Sequence, residues 1–147
     1  MASQLCRRGT YAQITLGHHK RADILLETGA GMVRLQVKAK QGREWPSVQG
    51  ICGPDDFLVL ADYRQIAIGS PPSVFVLNVD DWKQVIDAHR KKNPSFNVSE
   101  DLRIEHNDGW RGLNLKIEDV EEFRDAWDKV LEKLGVRAQS ETQNERD

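Results

Sequence analysis

Short apolar runs, one of them alternating with polar residues, predict β-strands in the first half of this chain. These runs occupy residues 11–16, 22–27, 34–38, 56–61 and 73–77. The second and third runs flank Gly29-Ala30, and glycine in a short gap between two aliphatic runs is typical of a tight hairpin turn. The run at 56–61 is apolar enough for a buried strand. The first half therefore predicts a sheet that contains a hairpin.

A helical period replaces this pattern in the second half. A helix is predicted from Asp80-Asp81 to Asn93-Pro94, with acids in its first turn and bases in its last, as the helix dipole favours. Its apolar face consists of Trp82, Val85, Ile86 and His89. A last helix is predicted from about Glu118 to Leu134, with Gly135 as its C-terminal stop. Residues 101–106 predict one further short strand.

Strands that come first and helices that come last are typical of an α+β or mixed α/β fold. We expect a central mixed β-sheet flanked by helices. The chain has 147 residues, about the length of one domain, and 39% of them are hydrophobic, which is enough for a buried core. We therefore expect a single domain over residues 1–137 and a disordered polar tail over residues 138–147.

Composition argues against several classes of protein. The two cysteines, Cys6 and Cys52, form no CxxC or Cys/His set at zinc spacing, so neither a zinc site nor a disulfide framework is indicated. No apolar run is long enough to cross a bilayer and no signal-peptide core follows Met1, so we expect a cytoplasmic protein with no membrane partner. Patterns of P-loop, serine-hydrolase, zincin and EF-hand proteins are also missing.

The predicted hairpin brings three polar side chains together. If Gly29-Ala30 is a two-residue turn, residues whose numbers sum to 59 are paired, and Asp23 lies across from Gln36. Side chains alternate along a strand, so Gln36 and Lys38 point to the same face. Opposed Cβ atoms are about 5 Å apart, which lets a carboxylate, an amide carbonyl and an ammonium group converge as a divalent-metal site. A one-residue slip would move Asp23 to the other face.

This Asp, followed by Gln-x-Lys on the next strand, resembles the PD-(D/E)XK superfamily of restriction and homing endonucleases over about residues 11–77. The resemblance implies a restriction-endonuclease-like fold and metal-dependent hydrolysis of DNA phosphodiester bonds. Asp23 and Gln36 would bind Mg²⁺ or Mn²⁺, and Lys38 would position the attacking water or stabilise charge on the phosphate. Ala22 stands where the motif has Pro, and Gln36 replaces the usual acid, as in some homing endonucleases of the superfamily.

One expected ligand is missing from the pattern. Members of the superfamily commonly carry a further Glu on a preceding helix, whereas no acidic residue precedes Asp23 in this sequence. Four explanations stay open: Glu44 completes the site, a partner subunit donates the ligand, the start codon lies upstream of Met1, or catalysis has been lost. Because cutting both strands of a duplex needs two active sites, we expect a homodimer or higher homo-oligomer.

Basic residues are concentrated around the predicted site. Residues 1–43 contain eight Lys or Arg and two acidic residues, whereas the whole chain has a net charge of −2. Each phosphate contact needs a cation, so this basic segment favours DNA as a partner, the alternative being an ordinary polar surface compensated by acidic helices. The candidate nucleic-acid-binding residues that flank the site are Lys20, Arg21, Lys40 and Arg43.

The four tryptophans divide into two groups. Trp82 and Trp127 lie on apolar helix faces and are predicted to be core residues, and core packing is also the favoured interpretation of Trp45, next to Pro46. Trp110 lies in a predicted loop, where it either caps the core or marks a subunit contact.

The sequence leaves three hypotheses for function. The first is a metal-dependent endonuclease, which Asp23 and Lys38 favour. The alternative is a catalytically degenerate nuclease-fold domain that binds nucleic acid or a protein partner, which Gln36 and the missing acid favour. The third is an unrelated α+β interaction domain.

Overall fold

The central element of the fold is a five-stranded mixed sheet. A computed structural model of the chain describes residues 11–14, 23–64 and 66–136. The strands in these ranges are β1 (Tyr11–Ile14), β2 (Ile24–Thr28), β3 (Gly31–Lys40), β4 (Trp45–Val48), β5 (Asp56–Asp62), β6 (Ser73–Leu77), β7 (Phe96–Val98), β8 (Ile104–His106) and β9 (Leu113–Leu115). The large sheet has the order β1-β2-β3-β5-β6, in which β3 and β5 are parallel and the other neighbours are antiparallel. The chain therefore has a mixed α+β fold, and the predicted central mixed sheet is confirmed.

The hairpin of β2 and β3 forms around the predicted turn. Thr28 pairs with Gly31 and Ile24 pairs with Leu35, so the predicted register is confirmed. Ile24 and Leu35 are both buried. This burial favours the observed register, because a slip of one residue would turn the apolar side chains of one strand toward the opposite face.

The remaining strands fall into a predicted and an unpredicted group. The strands predicted at 56–61 and 73–77 are confirmed as β5 and β6, and the short strand predicted within 101–106 is β8. Every residue of β5 is buried, as expected for a strand covered on both faces. The sequence pattern did not predict β4, β7 and β9, because three or four residues are too few to display a period. They form two small sheets, β4 with β9 and β7 with β8.

The helices in the described ranges are α1 (Val79–Lys92), α2 (Ile117–Val120) and α3 (Asp128–Lys133), with a 3₁₀ turn at Glu121–Phe123. The predicted helix before Asn93 is confirmed as α1. The Asn78 side chain accepts a hydrogen bond from the Asp81 N–H at 2.8 Å, and the Asp81 carboxylate accepts one from the Asn78 N–H at 3.0 Å. This reciprocal capping satisfies two backbone donors and defines where α1 begins. Gly135, with φ of 67°, follows α3 as predicted.

Different helices cover the two faces of the large sheet. One apolar cluster joins β5 and β6 to α1 and includes Leu58, Leu60, Phe75, Leu77, Trp82, Val85 and Ile86. The other joins the sheet to α3 and includes Leu26, Leu35, Phe57, Val59, Trp127, Val130 and Leu134. We refer to these sides as the α1 face and the α3 face. The sheet is thus the middle layer of the fold, with a core on each side.

The helix predicted from about Glu118 to Leu134 is wrong, because the chain leaves the helical path at residues 124–125. Arg124 forms a β-bridge with Phe75. The Asp125 N–H donates to the Val74 carbonyl at 2.8 Å. Asp125 also has φ of 51°, a left-handed conformation that a continuing α-helix does not allow. Backbone pairing with β6 therefore replaces the helical hydrogen bonds at this point.

The break carries the chain around β6 from one face of the sheet to the other. Phe123 packs in the core of the α1 face, whereas Trp127 packs in the core of the α3 face. Arg124 holds the crossing in place: its guanidinium donates to both carboxylate oxygens of Glu121 at 3.0 Å and lies 4.9 Å from the Phe75 ring centre. These hydrogen bonds from Arg124 lower the pKa of Glu121. A stripe that reads as one helix face in the sequence is therefore divided between two cores.

Two ion pairs lie at the ends of the parallel pairing between β3 and β5. Arg34 is in register with Asp56 and Lys40 with Asp62. The Arg34 Nε to Asp56 Oδ1 distance is 2.7 Å, and the Lys40 Nζ to Asp62 Oδ1 distance is 3.1 Å. The Lys40 side chain is only 2% exposed, and its ammonium lies 4.7 Å from the centre of the Trp45 ring. Asp62 thus neutralises a buried lysine inside the fold.

Some predictions concern residues outside the described ranges, namely Lys20, Arg21 and the polar tail at 138–147. Among the residues that are described, none of the helices has the length and apolar character needed to span a lipid bilayer.

We expect Lys40→Met to lower the free energy of unfolding by about 3–5 kcal/mol, because it leaves the Asp62 carboxylate buried without a counter-charge. Adding Asp62→Asn should recover part of this loss, since the amide oxygen can still accept the Arg64 N–H. Urea denaturation followed by circular dichroism measures both values. Lys91→Met, at an exposed position of α1, is the control and should change stability by less than about 0.5 kcal/mol. A loss for Lys40→Met no larger than the control would contradict this interpretation.

Candidate functional site

Asp23 lies immediately before β2 and extends the pairing of the hairpin. Its N–H donates to the Leu35 carbonyl at 2.8 Å. Its carboxylate Oδ2 accepts the N–H of Val37, also at 2.8 Å, so a side chain provides the acceptor at the end of the strand pairing. Asp23 is exposed. The hydrogen bond therefore orients a solvent-accessible carboxylate beside the peptide that joins Gln36 to Val37.

Gln36 is the unusual residue of β3. It lies in register with Leu58, a core residue of the α1 face, and is 8% exposed. Its side-chain oxygen Oε1 is buried and has no hydrogen-bond partner among the described residues. Leaving a buried carbonyl without a partner costs about 1–3 kcal/mol. Nearly all buried polar atoms in proteins are paired, so this oxygen needs a structural or functional explanation.

Lys38 follows two residues later on the same strand and lies in register with Leu60, so its side chain also points to the α1 face. Unlike Gln36, it is exposed. Its ammonium forms no ion pair with any carboxylate of the described residues. A free ammonium on a long side chain is thus available next to the buried amide of Gln36.

These three residues lie near one end of the β2–β3 hairpin. The pairing of the two strands ends at Ile24 and Leu35, and Asp23, just before it, is bonded to β3 through the Leu35 carbonyl and the Val37 N–H. Gln36 points to the α1 face of the sheet. Lys38 lies one side-chain repeat further along that face. The site predicted from the sequence is therefore solvent-accessible at Asp23 and Lys38 and buried at Gln36.

The oxygen donors at this position match a hard divalent cation. Mg²⁺ takes oxygen ligands, keeps several of its waters and is often held by one or two protein groups together with substrate phosphates. Asp23 supplies a carboxylate and Gln36 supplies the unpartnered amide oxygen. Across residues 23–64 and 66–136, no group of three or more His, Cys, Asp or Glu forms a metal cluster. Asp23 is thus the solvent-accessible oxygen ligand of the pair, whereas the Gln36 oxygen is enclosed.

The other carboxylates of the β3–β5 pair are already engaged. Asp56 is paired with Arg34, and Asp62 is paired with Lys40. Glu44, one of the residues considered for completing the site, is half-buried directly before β4. Asp23 therefore remains the exposed acid of the hairpin that can act as a ligand next to Gln36.

The candidate nucleic-acid-binding residues differ in their surroundings. Arg43 is exposed in the connection between β3 and β4, where its guanidinium is accessible to a phosphate. Lys40, in contrast, donates to the Gly42 carbonyl at 3.0 Å and is paired with Asp62. The expected phosphate contact of Lys40 is at odds with this burial and is corrected to a structural role. Lys20 and Arg21 lie outside the described residues.

The predicted core tryptophans are confirmed. Trp45, Trp82 and Trp127 are 1%, 0% and 5% exposed, and the Trp45 indole N–H donates to the Ala61 carbonyl at 3.1 Å. Trp110 is 52% exposed, so it does not cap the core. The alternative, a subunit contact through Trp110, stays a prediction.

Sequence reasoning missed the two ion pairs that position β3. Their signal was present, because Arg34 and Lys40 have the same spacing along the chain as Asp56 and Asp62. Equal spacing of opposite charges in two predicted strands is the pattern expected for parallel strands in register. This equal spacing would have predicted both the parallel pairing of β3 with β5 and the ion pair between Lys40 and Asp62.

Comparison of the chain with protein-family models, with curated proteins and with solved structures finds no match in any of the three. The interpretation of the site rests on its own geometry.

Proposed function

We propose that this protein is a metal-dependent endonuclease that hydrolyses DNA phosphodiester bonds, with a restriction-endonuclease-like fold. The observation that carries the proposal is the unpartnered, buried Oε1 of Gln36 on the strand whose next residue, Val37, holds the Asp23 carboxylate through its N–H. A fold without a ligand at this point would be more stable with an apolar residue there. The mixed sheet, with helices on both faces, is compatible with the proposed fold family.

Asp23 and Gln36 are the residues that would hold Mg²⁺ or Mn²⁺. When bound, such an ion polarises the phosphate and lowers the pKa of the attacking water. The hydrogen bond from the Val37 N–H fixes the Asp23 carboxylate, and burial restricts the Gln36 side chain, so both oxygens are preorganised. Because these two ligands carry a single negative charge, they would bind a cation weakly. The DNA phosphate would therefore supply further oxygen ligands to the ion.

Lys38 is placed to act on the reacting groups. Its exposed ammonium can donate hydrogen bonds to the attacking water and to phosphate oxygens, where negative charge grows in the transition state. Arg43 lies in the connection that follows β3 and would contact the phosphate backbone, with Lys20 and Arg21 as further candidates. In this scheme Lys38 is the catalytic cation and Arg43 contributes to binding.

A second candidate function is a degenerate nuclease-fold domain that binds nucleic acid or a protein partner without cutting. It is favoured by the presence of one carboxylate and a neutral amide where the superfamily usually has two acids. The described residues offer no cluster of three metal-binding side chains to replace the missing acid.

Nicking of supercoiled plasmid DNA in the presence of Mg²⁺ or Mn²⁺ tests the first function. We expect Lys38→Ala to lower the nicking rate about 10²–10³-fold, the usual cost of removing one group that stabilises transition-state charge. Lys83→Ala, which removes an exposed lysine of α1, is the matched control and should nick normally. Equal nicking by wild type and Lys38→Ala would remove Lys38 from catalysis. Metal-dependent nicking by neither protein, with DNA binding retained by both, would favour the degenerate domain.

Substitution of Gln36 tests whether this residue has a functional or a structural role. We expect Gln36→Leu to raise the free energy of unfolding by about 1 kcal/mol, because it removes an unpaired buried carbonyl, and to abolish metal-dependent nicking. Gln84→Leu, at an exposed position of α1, is the control for the same chemical change and should affect neither property. Urea denaturation and the plasmid assay measure the two effects. A variant that is more stable and still fully active would show that the amide oxygen is not a ligand.

We further propose that the protein acts as a homodimer, since one chain carries one site and a double-strand break needs two. Sedimentation velocity with a short DNA duplex should give the mass of two chains per duplex. Linear plasmid should then appear together with nicked plasmid. A single chain per duplex that releases linear plasmid in one binding event would refute the dimer.

A further inference from the structure

A small cavity lies between the C-terminal end of α1 and the segment that joins β8 to β9. It has a volume of about 190 Å³. The side chains that matter for its chemistry are His89, Asn93, Phe96, His106, Trp110 and Asn114. An apolar cavity of about 150 Å³ holds one benzene ring. The space is therefore sufficient for one six-membered aromatic ring and too small for a base pair.

Trp110 provides an exposed flat surface on a backbone that is held in place. Its carbonyl accepts the His106 N–H at 2.7 Å, and its N–H donates to the Asp108 carboxylate at 3.0 Å. Gly109 and Gly112, with φ of 87° and 85°, make the turns on either side. The indole is 52% exposed although it lines a cavity. An indole presented in this way is available to stack against a planar ligand.

The opposite part of the cavity is aromatic as well. The His106 ring lies 5.3 Å from the Phe96 ring at an interplanar angle of 53°. The Nε2 atom of His106 is 2.8 Å from the Gly112 carbonyl, which fixes this nitrogen as a donor and its Nδ1 as an acceptor in the neutral ring. The position of the His106 ring is thus set by its contacts with the Phe96 ring and with the Gly112 carbonyl.

Two amide groups add hydrogen-bond donors to the cavity. The Asn93 Oδ1 accepts hydrogen bonds from Ser95, and the Asn114 Oδ1 accepts the Ser47 N–H at 2.9 Å. Because both oxygens are engaged, each side chain presents its NH₂ group, and these groups have no partner among the described residues. Carbonyl oxygens at the edge of a ring, as in a pyrimidine, are suitable acceptors.

One positive charge lies at the edge of the cavity. The Arg90 guanidinium lies 5.6 Å from the centre of the ring of Phe96, one of the lining residues. Two acids lie near the lining residues: Asp108 accepts the Trp110 N–H at 3.0 Å, and Asp119 accepts the Lys116 N–H at 2.8 Å and lies 3.7 Å from His89. A ligand that combines an aromatic ring with a phosphate would match this arrangement of groups.

We propose that this cavity binds one unpaired nucleobase of a single-stranded DNA, stacked on Trp110, with its phosphate near Arg90. The inference goes beyond the proposed endonuclease activity, because it concerns a second surface that needs no metal and none of Asp23, Gln36 and Lys38. A base inside a duplex is stacked on its neighbours and does not fit the cavity, so the site discriminates against double-stranded DNA. Stacking on an aromatic side chain tolerates any base, so little sequence preference is expected.

Fluorescence anisotropy of a labelled oligothymidylate, measured in EDTA so that no DNA is cut, tests the site. Trp110→Ala should weaken binding roughly 5- to 150-fold, the range known for loss of one stacked base, whereas Trp110→Phe should retain most of the affinity. Ile68→Ala, which truncates another exposed apolar side chain, is the control and should bind as the wild type does. Quenching of tryptophan emission should accompany binding and vanish in Trp110→Phe, because the other three tryptophans are buried.

The same titration with a duplex and with thymidine monophosphate separates the alternatives. Trp110→Ala should leave weak duplex binding unchanged, and the mononucleotide should bind much more weakly than the oligonucleotide. No binding of oligothymidylate by the wild type, or equal affinity of wild type and Trp110→Ala, would overturn the proposal. If the mononucleotide and the oligonucleotide bind with equal affinity, the proposal of a single-stranded DNA ligand is overturned, and the cavity is a site for a free nucleotide.

The outcome is independent of catalysis. A protein that binds single strands through Trp110 and does not nick plasmid would refute the endonuclease and leave the base-binding site in place. A protein that nicks plasmid, and whose single-strand binding Trp110→Ala does not change, would support the endonuclease and refute the base-binding site.

Discussion

The central strand β3 directs four polar side chains to the α1 face, two of them buried, and the site depends on how each is accommodated. Arg34 and Lys40, at the two ends, are neutralised by carboxylates of β5. Lys38 reaches solvent. Gln36 alone among them is buried with an unpaired atom in the described structure. The parallel pairing of β3 with β5 therefore both stabilises the sheet and isolates Gln36 as the unsatisfied group, at the point where Asp23 meets the strand.

The parts of the fold that depend on local pattern were predictable, and those that depend on tertiary contacts were not. The hairpin register follows from a two-residue turn and the alternation of buried residues, both of which are visible in the sequence. The prediction of one last helix was wrong because periodicity shows which residues could share a helix face. It does not show against which core each of those residues packs. Phe123 and Trp127 belong to different cores, and only the pairing of Arg124 with Phe75 reveals the crossing.

In the candidate site, too, the features that depend on local pattern were predictable and those that depend on tertiary contacts were not. The sequence indicated that Asp23, Gln36 and Lys38 belong together, because the register of one hairpin determines their placement. It did not indicate that Lys40 is buried against Trp45 while Arg43, three residues later, is exposed. Both residues have the same charge and lie near the same strand end. Their difference depends on Asp62, which comes from another part of the chain, so charge clustering along the sequence overestimates the number of cations exposed at the surface.

Gln36 and Lys40 show why an unpaired group is more informative than a paired one. Both are buried polar residues on the same side of the same strand, but the cost of burying Lys40 is offset by Asp62, so stability alone accounts for that pair. Nothing in the described structure offsets the cost of burying the Gln36 carbonyl. Local rules of folding are most often broken where a protein binds or reacts. The unpaired amide oxygen of Gln36 is such a violation, whereas the ion pairs are not.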